Sequence, residues 1–148
     1  MINIVNGNIL NCKEDIIVHQ VNVNGLMGGG LARQLADQYS DLEKEYRKFC
    51  KHFKNDYEIL KGTVTLYCEN KKFIANIFSQ EPNFNTDYKS MQIALTKVRK
   101  YAEKNKLSVA IPYKIGCGIA NGVWEYVLDI INIVFKDYKV TIYRLEEN

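Results

Sequence analysis

"VNVNGLMGGGLARQLADQY", residues 21–39, sets three consecutive glycines, Gly28, Gly29 and Gly30, directly before a run with helical spacing. Glycine inside a helix costs about 1 kcal/mol relative to alanine, so three together mark a loop where side chains would be in the way, with the helix beginning beyond them. In that helix Leu31, Ala32, Leu35, Ala36 and Tyr39 fall on one stripe, a core-facing pattern. Upstream, Ile16–His19 is short, β-branched and apolar, as a strand buried on both faces should be. Strand, glycine loop and helix in this order make one unit of an α/β fold.

Working outward, Ile2–Val5, Val64–Tyr67, Phe73–Ile77, Val109–Ile111 and Val140–Tyr143 have the same strand character, which predicts a central sheet of about six strands. A second helix is expected from Ser40, where Ser40-Asp41-Leu42-Glu43 has the form of a capping box and Leu42, Tyr46, Phe49 and Phe53 share a face. A third carries Met91, Ala94, Leu95, Val98 and Tyr101, and a fourth Trp124, Val127, Leu128, Ile131, Val134 and Phe135. Alternating strands and helices predict an α/β layered sandwich. Val64–Tyr67 and Phe73–Ile77 lie close enough to pair as a hairpin around Glu69-Asn70-Lys71-Lys72, so the sheet is expected to be mixed.

The 148 residues show no linker, repeat or low-complexity tract, and one domain over residues 1–148 is expected, with disorder confined to Glu146 to Asn148. Apolar content of 47% with 25% charged residues is ordinary for a globular protein. No stretch approaches the roughly 20 apolar residues of a membrane span, and the N-terminus lacks the order of a secretory signal. A cytoplasmic protein without a membrane partner is expected. Cys12, Cys50, Cys68 and Cys117 form no CxxC pair, which argues against a zinc site and, in a reducing compartment, against disulfides. The net charge of +3 comes largely from scattered lysines such as Lys44, Lys48, Lys51 and Lys54, read as a solvated helical face. Binding of RNA or a related nucleotide polymer through that face is the least favoured reading.

A second strand-to-helix passage repeats the chemistry of the first. Val109-Ala110-Ile111-Pro112 is followed by "YKIGCGIANGVW", which carries Gly116, Gly118 and Gly122 ahead of the fourth helix. Loops at the carboxyl ends of parallel strands, leading into helix N-termini, point unpaired N–H groups at one small volume. Two such loops suit a diphosphate. GxxxxGK[ST] is absent and Gly25 to Gly30 does not form GxGxxG, which disfavours a nucleoside triphosphatase or a Rossmann dehydrogenase.

With these residues in place, the chain resembles the macrodomain family, which binds ADP-ribose. "VNGNIL" (5–10) looks like that family's opening after its first strand, "HQVNVNGLMGGGLARQLADQY" (19–39) like its asparagine-and-glycine loop, and "IPYKIGCGIANGVW" (111–124) like its second phosphate loop. With "YSDLEKEY" behind the first loop, the resemblance is greatest to the branch of ADP-ribose 1″-phosphate phosphatases and terminal ADP-ribose glycohydrolases. It implies a three-layer α/β/α sandwich with ADP-ribose across the sheet's upper edge. It also implies a small-molecule ADP-ribose derivative or an ADP-ribosylated macromolecule as partner, and neither cofactor nor metal.

The resemblance assigns positions as well. Asn8, with the Ile9 backbone beside it, stands where many members carry an adenine-binding aspartate; an asparagine carbonyl still accepts a hydrogen bond, without charge assistance. Asn22 and Asn24 match polar positions near the distal ribose, although Asn24-Gly25 equally suits a turn. Gly28, Gly29, Gly30 and Leu31 would form one backbone wall of the diphosphate site. Gly116, Cys117, Gly118, Ile119, Ala120 and Asn121 would form the other. Cys117 has no partner histidine, so it reads as loop lining and not as a nucleophile. Phe78 and Tyr143 are open between adenine packing and core.

The glycohydrolase branch uses a lysine after the strand matching Phe73–Ile77 and an aspartate in the second loop. Here those places read Phe78-Ser79-Gln80 and Ala120, with Lys114 the nearest lysine in sequence. His19 matches a histidine of the phosphatase branch. As residues alone it is either a strand histidine satisfied by a backbone carbonyl or a group that moves protons near neutral pH. The resulting expectation is hydrolysis of a C1″ substituent, with His19 assisting water beside Asn22 and Asn24. The alternative is a binding module without turnover.

Overall fold

The structure is a computed structural model that describes residues 1–145. The expectation for Glu146 to Asn148 lies outside the described residues.

Its centre is a six-stranded sheet in the order β1-β6-β5-β2-β4-β3. The strands are β1 (Ile2–Asn6), β2 (Ile16–Val21), β3 (Val64–Glu69), β4 (Lys72–Phe78), β5 (Val109–Pro112) and β6 (Val140–Arg144). The pairs β1/β6, β6/β5, β5/β2 and β2/β4 are parallel, and β3 is antiparallel to β4. The sheet is therefore mixed, with the expected hairpin. Glu69 pairs with Lys72, and Asn70 and Lys71 between them have φ of 50° and 66°, the double left-handed turn that matches the twist of a two-residue hairpin.

Helices α1 (Gly30–Gln38), α2 (Leu42–His52) and the single turn α3 (Tyr57–Leu60) cover one face, and α4 (Tyr88–Asn105) and α5 (Trp124–Val134) cover the other. Alternate residues of the strands serve the two layers. Ile17 and Val21 join Leu35, Leu42, Tyr46 and Phe78 on the α1/α2 side, while Ile16 and Val18 join Met91, Leu95, Val98 and Ile131 on the α4/α5 side. The three layers follow from this alternation.

Several boundaries differ from the sequence reading. The helix is bounded by the third glycine, with Gly29 as its N-cap, and Gly30 enters it with a left-handed φ of +57 that glycine alone adopts freely. The capping box at Ser40 is not formed: Asp41 is the N-cap of α2 and makes no side-chain cap bond, because Glu43 is committed elsewhere. Lys54 lies past the end of α2 with φ +57, so it is not on the helical face assigned to it. The turn α3 carries no periodic signal at four residues; Asp56 caps it by accepting from the Glu58 amide at 2.9 Å. No helix among the described residues is long and apolar enough to cross a membrane.

Candidate functional site

The loops that follow β2 and β5 leave the carboxyl edge of the sheet side by side, since these strands are neighbours in parallel. In the first loop the amides of Gly28, Gly29, Gly30 and Leu31 donate to no group among the described residues. A Cβ placed on Gly28, Gly29 or Gly30 would meet nothing within 4 Å. These unpaired amides stand at the positive end of the nine-residue α1, beside three glycines with open space where a side chain would be.

Helix α2 holds this loop in position. Glu43 Oε2 accepts from the Met27 amide at 2.9 Å, Arg47 Nε donates to Gly25 O at 3.2 Å, and Tyr46 Oη donates to Asn22 O at 2.5 Å. Just beyond the helix, Asn55 Nδ2 donates to Val23 O at 2.7 Å. Burial pushes the Tyr46 hydroxyl far above its ordinary pKa, so it remains a donor. Glu43, the last letter of the apparent cap Ser40 to Glu43, is in fact part of this brace, a long-range role that local spacing does not reveal.

The second loop divides into supports and a free edge. Gly116, at φ +73, leaves room for a Cβ only 2.8 Å from Thr86 Oγ1 and 3.0 Å from Gln20 Oε1, and at Gly122 it would stand 2.4 Å from Gly116 O. Both glycines are demanded by packing, and Gly116 is a support, not an open wall of the site. By contrast Gly118 opens on empty space, and the amides of Gly118, Ile119 and Ala120 donate to no group among the described residues. Ile119 is 83% exposed beside them, and Leu26 on the first loop is 60% exposed.

A polar relay missed in the sequence ties this loop to the one after β4. Ser79 Oγ donates to Gln20 Oε1 at 2.8 Å, Gln20 Nε2 donates to Thr86 Oγ1 at 3.2 Å, and Thr86 Oγ1 donates to Gly116 O at 2.6 Å. The Thr86 amide donates to Ala120 O at 2.8 Å. Asn121, at φ +57, reaches Asn85 Oδ1 at 3.4 Å.

Other expected contacts are spent internally. Asn22 Oδ1 accepts from the Asn24 amide at 2.9 Å and lies 2.8 Å from Tyr46 Oη, and its Nδ2 donates to Leu26 O at 3.5 Å. Its amide therefore shapes the turn, whereas the Asn24 side chain is exposed. Asn8 Oδ1 caps a short 3-10 turn, Ile9–Asn11, by accepting from the Leu10 amide at 3.0 Å, and Ile9 is buried. Phe78 is core, stacked on Phe49 at 5.8 Å. Tyr143 donates to Glu14 Oε1 at 2.6 Å, and burial with that bond pushes its pKa up to about 12. Lys114 lies over the Tyr113 ring at 5.7 Å. Burial also raises the Cys117 thiol pKa, which suits a lining residue.

His19 is 2% exposed in mid-strand, on the face covered by α1 and α2. Its Nε2 lies 2.5 Å from Asn76 Oδ1 on the paired strand, and Asn76 Nδ2 donates to Thr65 Oγ1 at 3.1 Å. With Oδ1 accepting, Nε2 carries the proton and Nδ1 is the free acceptor, yet Nδ1 is sealed from solvent and has no partner among the described residues. Burial lowers the pKa to about 4, only partly opposed by the Asn76 bond. The expected proton-moving role at a ligand is not what this placement favours, because the imidazole is almost wholly buried. The satisfying partner is a side chain, not the backbone carbonyl expected.

No protein-family model matches the chain. Its fold nevertheless superposes on the macrodomain of Mycobacterium tuberculosis DarG with a TM-score of 0.84 at 24% identity, over 97% of each chain. The chain has the macrodomain fold. The Thermosipho africanus DarTG structure in complex with ADP-ribose shares this fold at a TM-score of 0.79 and 20% identity, over 96% of this chain and 41% of that chain. Among curated relatives, the human ADP-ribose glycohydrolase OARD1 is 24% identical over 145 residues, 95% of this chain and 90% of that protein. The ADP-ribose 1″-phosphate phosphatase of Saccharomyces cerevisiae is 45% identical over 51 residues, a stretch spanning 33% of this chain and 29% of the phosphatase.

Proposed function

We propose that this chain belongs to the macrodomain family and, acting as one domain over its length, binds ADP-ribose or a derivative at the carboxyl edge of the sheet. We propose further that it hydrolyses a C1″ substituent there, whether phosphate, acyl ester or protein adduct. One observation carries the binding: free amides on adjacent loops, Gly28 to Leu31 and Gly118 to Ala120, open onto unfilled space. Such amides match the oxygens of a diphosphate, and their rigid bracing by α2 and by the Gln20–Thr86 relay removes part of the ordering cost of binding. The names of the relatives support the hydrolytic part, since one acts on ADP-ribose 1″-phosphate and another is a glycohydrolase.

In this reading catalysis rests on positioning and on electrostatic stabilisation by the loop amides, with exposed Asn24 the side chain nearest in sequence to the distal end. An ADP-ribosylated macromolecule is accommodated with its attachment point at the open rim near Leu26 and Ile119. A second reading, binding without turnover, is favoured by the burial of His19 and by Phe78-Ser79-Gln80 and Ala120 at the places of the expected lysine and aspartate. Calorimetry with ADP-ribose, followed by product assays on the three substrate types, decides. Binding with turnover of one of them supports the first reading, and binding with no product leaves the second. Absence of binding refutes both.

A further inference from the structure

At the opposite edge of the sheet, where β2, β5 and β6 begin, lies a cavity of about 580 Å³. This size lies within the roughly 300–1,000 Å³ of small-molecule sites. Two nearly buried polar side chains line it, Glu14 at 5% and Thr141 at 4% exposure. Glu14 Oε1 accepts from Tyr143 Oη at 2.6 Å, while Glu14 Oε2 and Thr141 Oγ1 have no side-chain or backbone partner among the described residues. Both residues line the cavity, and these two oxygens are free to accept from a donor bound there.

The mouth has the opposite character. Lys13, Lys106 and Lys139 are exposed there against one exposed carboxylate, Glu103, which favours an anionic end. Between floor and mouth, Tyr138 spends its hydroxyl on the carbonyls of Ala102, at 3.2 Å, and Leu107, at 2.5 Å, and its ring is left as wall. This order of acceptors, aromatic wall and cationic rim matches the polarity of a ligand with a donor on a flat ring at one end and a phosphate at the other. We propose that this cavity is a second ligand site, for a nucleoside monophosphate whose base bears an exocyclic amino group directed to Glu14 and Thr141, with the phosphate at the lysine rim.

The test is calorimetry on the full chain with AMP, IMP and inorganic phosphate, in the absence and the presence of saturating ADP-ribose. AMP and IMP differ where an amino group becomes a carbonyl, so AMP should bind at least about tenfold more tightly, and phosphate alone more weakly than either. Glu14→Gln should bring AMP and IMP to within about threefold, because the amide offers both donor and acceptor. Lys139→Glu, an exposed change, should weaken AMP at least about fivefold with thermal midpoint and ADP-ribose affinity unchanged. Equal AMP and IMP affinities, displacement of AMP by ADP-ribose, or indifference to Lys139→Glu would each overturn the proposal. Should Glu14→Gln not fold, Thr141→Val together with the Lys139→Glu arm gives the same decision. Because the variants lie at the far edge, failure of ADP-ribose to bind leaves this readout intact and bears only on the proposed function.

Discussion

His19 and Tyr46 show how a single polar side chain can couple core to site. The unfolded chain protonates His19 as pH falls through about 6.5, whereas the folded chain resists until about 4, so stability rises with pH between those values and the contribution is complete above 6.5. A shift of that size corresponds to roughly 3 kcal/mol lost on going from neutral pH to below pH 4. His19→Gln keeps a donor for Asn76 and removes the proton, so its stability, read by urea unfolding from pH 4 to 7, should have a slope shallower by up to about 1.4 kcal/mol per pH unit. An unchanged slope would contradict the burial argument. Tyr46→Phe is the complementary case: it removes a donor from Asn22 O in the turn below the glycine loop. A loss of about 1 kcal/mol in stability is expected, with weaker ADP-ribose binding measured alongside, because the turn that presents the amides loses one of its holds.

Among the elements, the glycine loops give the sharpest contrast. Gly29 has extended backbone at φ −156 and its Cβ would meet nothing within 4 Å, so Gly29→Val should leave the unfolding midpoint unchanged. The isopropyl group would fill the space in front of the free amides, and ADP-ribose affinity should fall by about tenfold or more, as a steric block of a close backbone contact. Gly116→Ala should behave in reverse: its positive φ and the 2.8 Å approach to Thr86 Oγ1 predict a loss of about 1–3 kcal/mol in stability. Denaturation and calorimetry on both variants separate ligand-facing glycine from packing glycine.

The same contrast explains what could be read from the chain. All six strands were legible: β2, β4, β5 and β6 carry buried apolar runs, and β1 and β3, which have no buried residue, show through their β-branched content. The loops were legible as glycine clusters, but the sequence does not distinguish Gly29, which faces space, from Gly116, which faces Thr86. Glu43 was misread because a capping box and a brace on Met27 use the same residue, and only the tertiary fold decides between them. The Gln20–Ser79–Thr86 relay joins residues far apart in sequence with no motif at all. His19 was legible as a strand residue; that its partner is Asn76 depends on the β2/β4 register.

At the scale of the whole molecule, the two candidate sites stand at opposite edges of one sheet, the loop amides beyond the carboxyl ends of β2 and β5 and the Glu14 cavity at the start of β5 and β6. No lining residue of the cavity belongs to either loop, so a ligand at one edge has no direct contact with the other. Ligands that bind only the folded state raise its stability by mass action, about 2.7 kcal/mol at a hundred times the dissociation constant. For a chain of 148 residues each kcal/mol moves the thermal midpoint by about 3–4 °C, so ADP-ribose at that excess should raise it by about 10 °C. If the edges are independent, AMP added at its own hundredfold excess should raise it by a similar further amount, since the two linkage free energies then sum. A combined shift equal to that of one ligand would mean that both compete for the same cleft. A combined shift larger than the sum would mean that β5, which is common to both edges, transmits order between them.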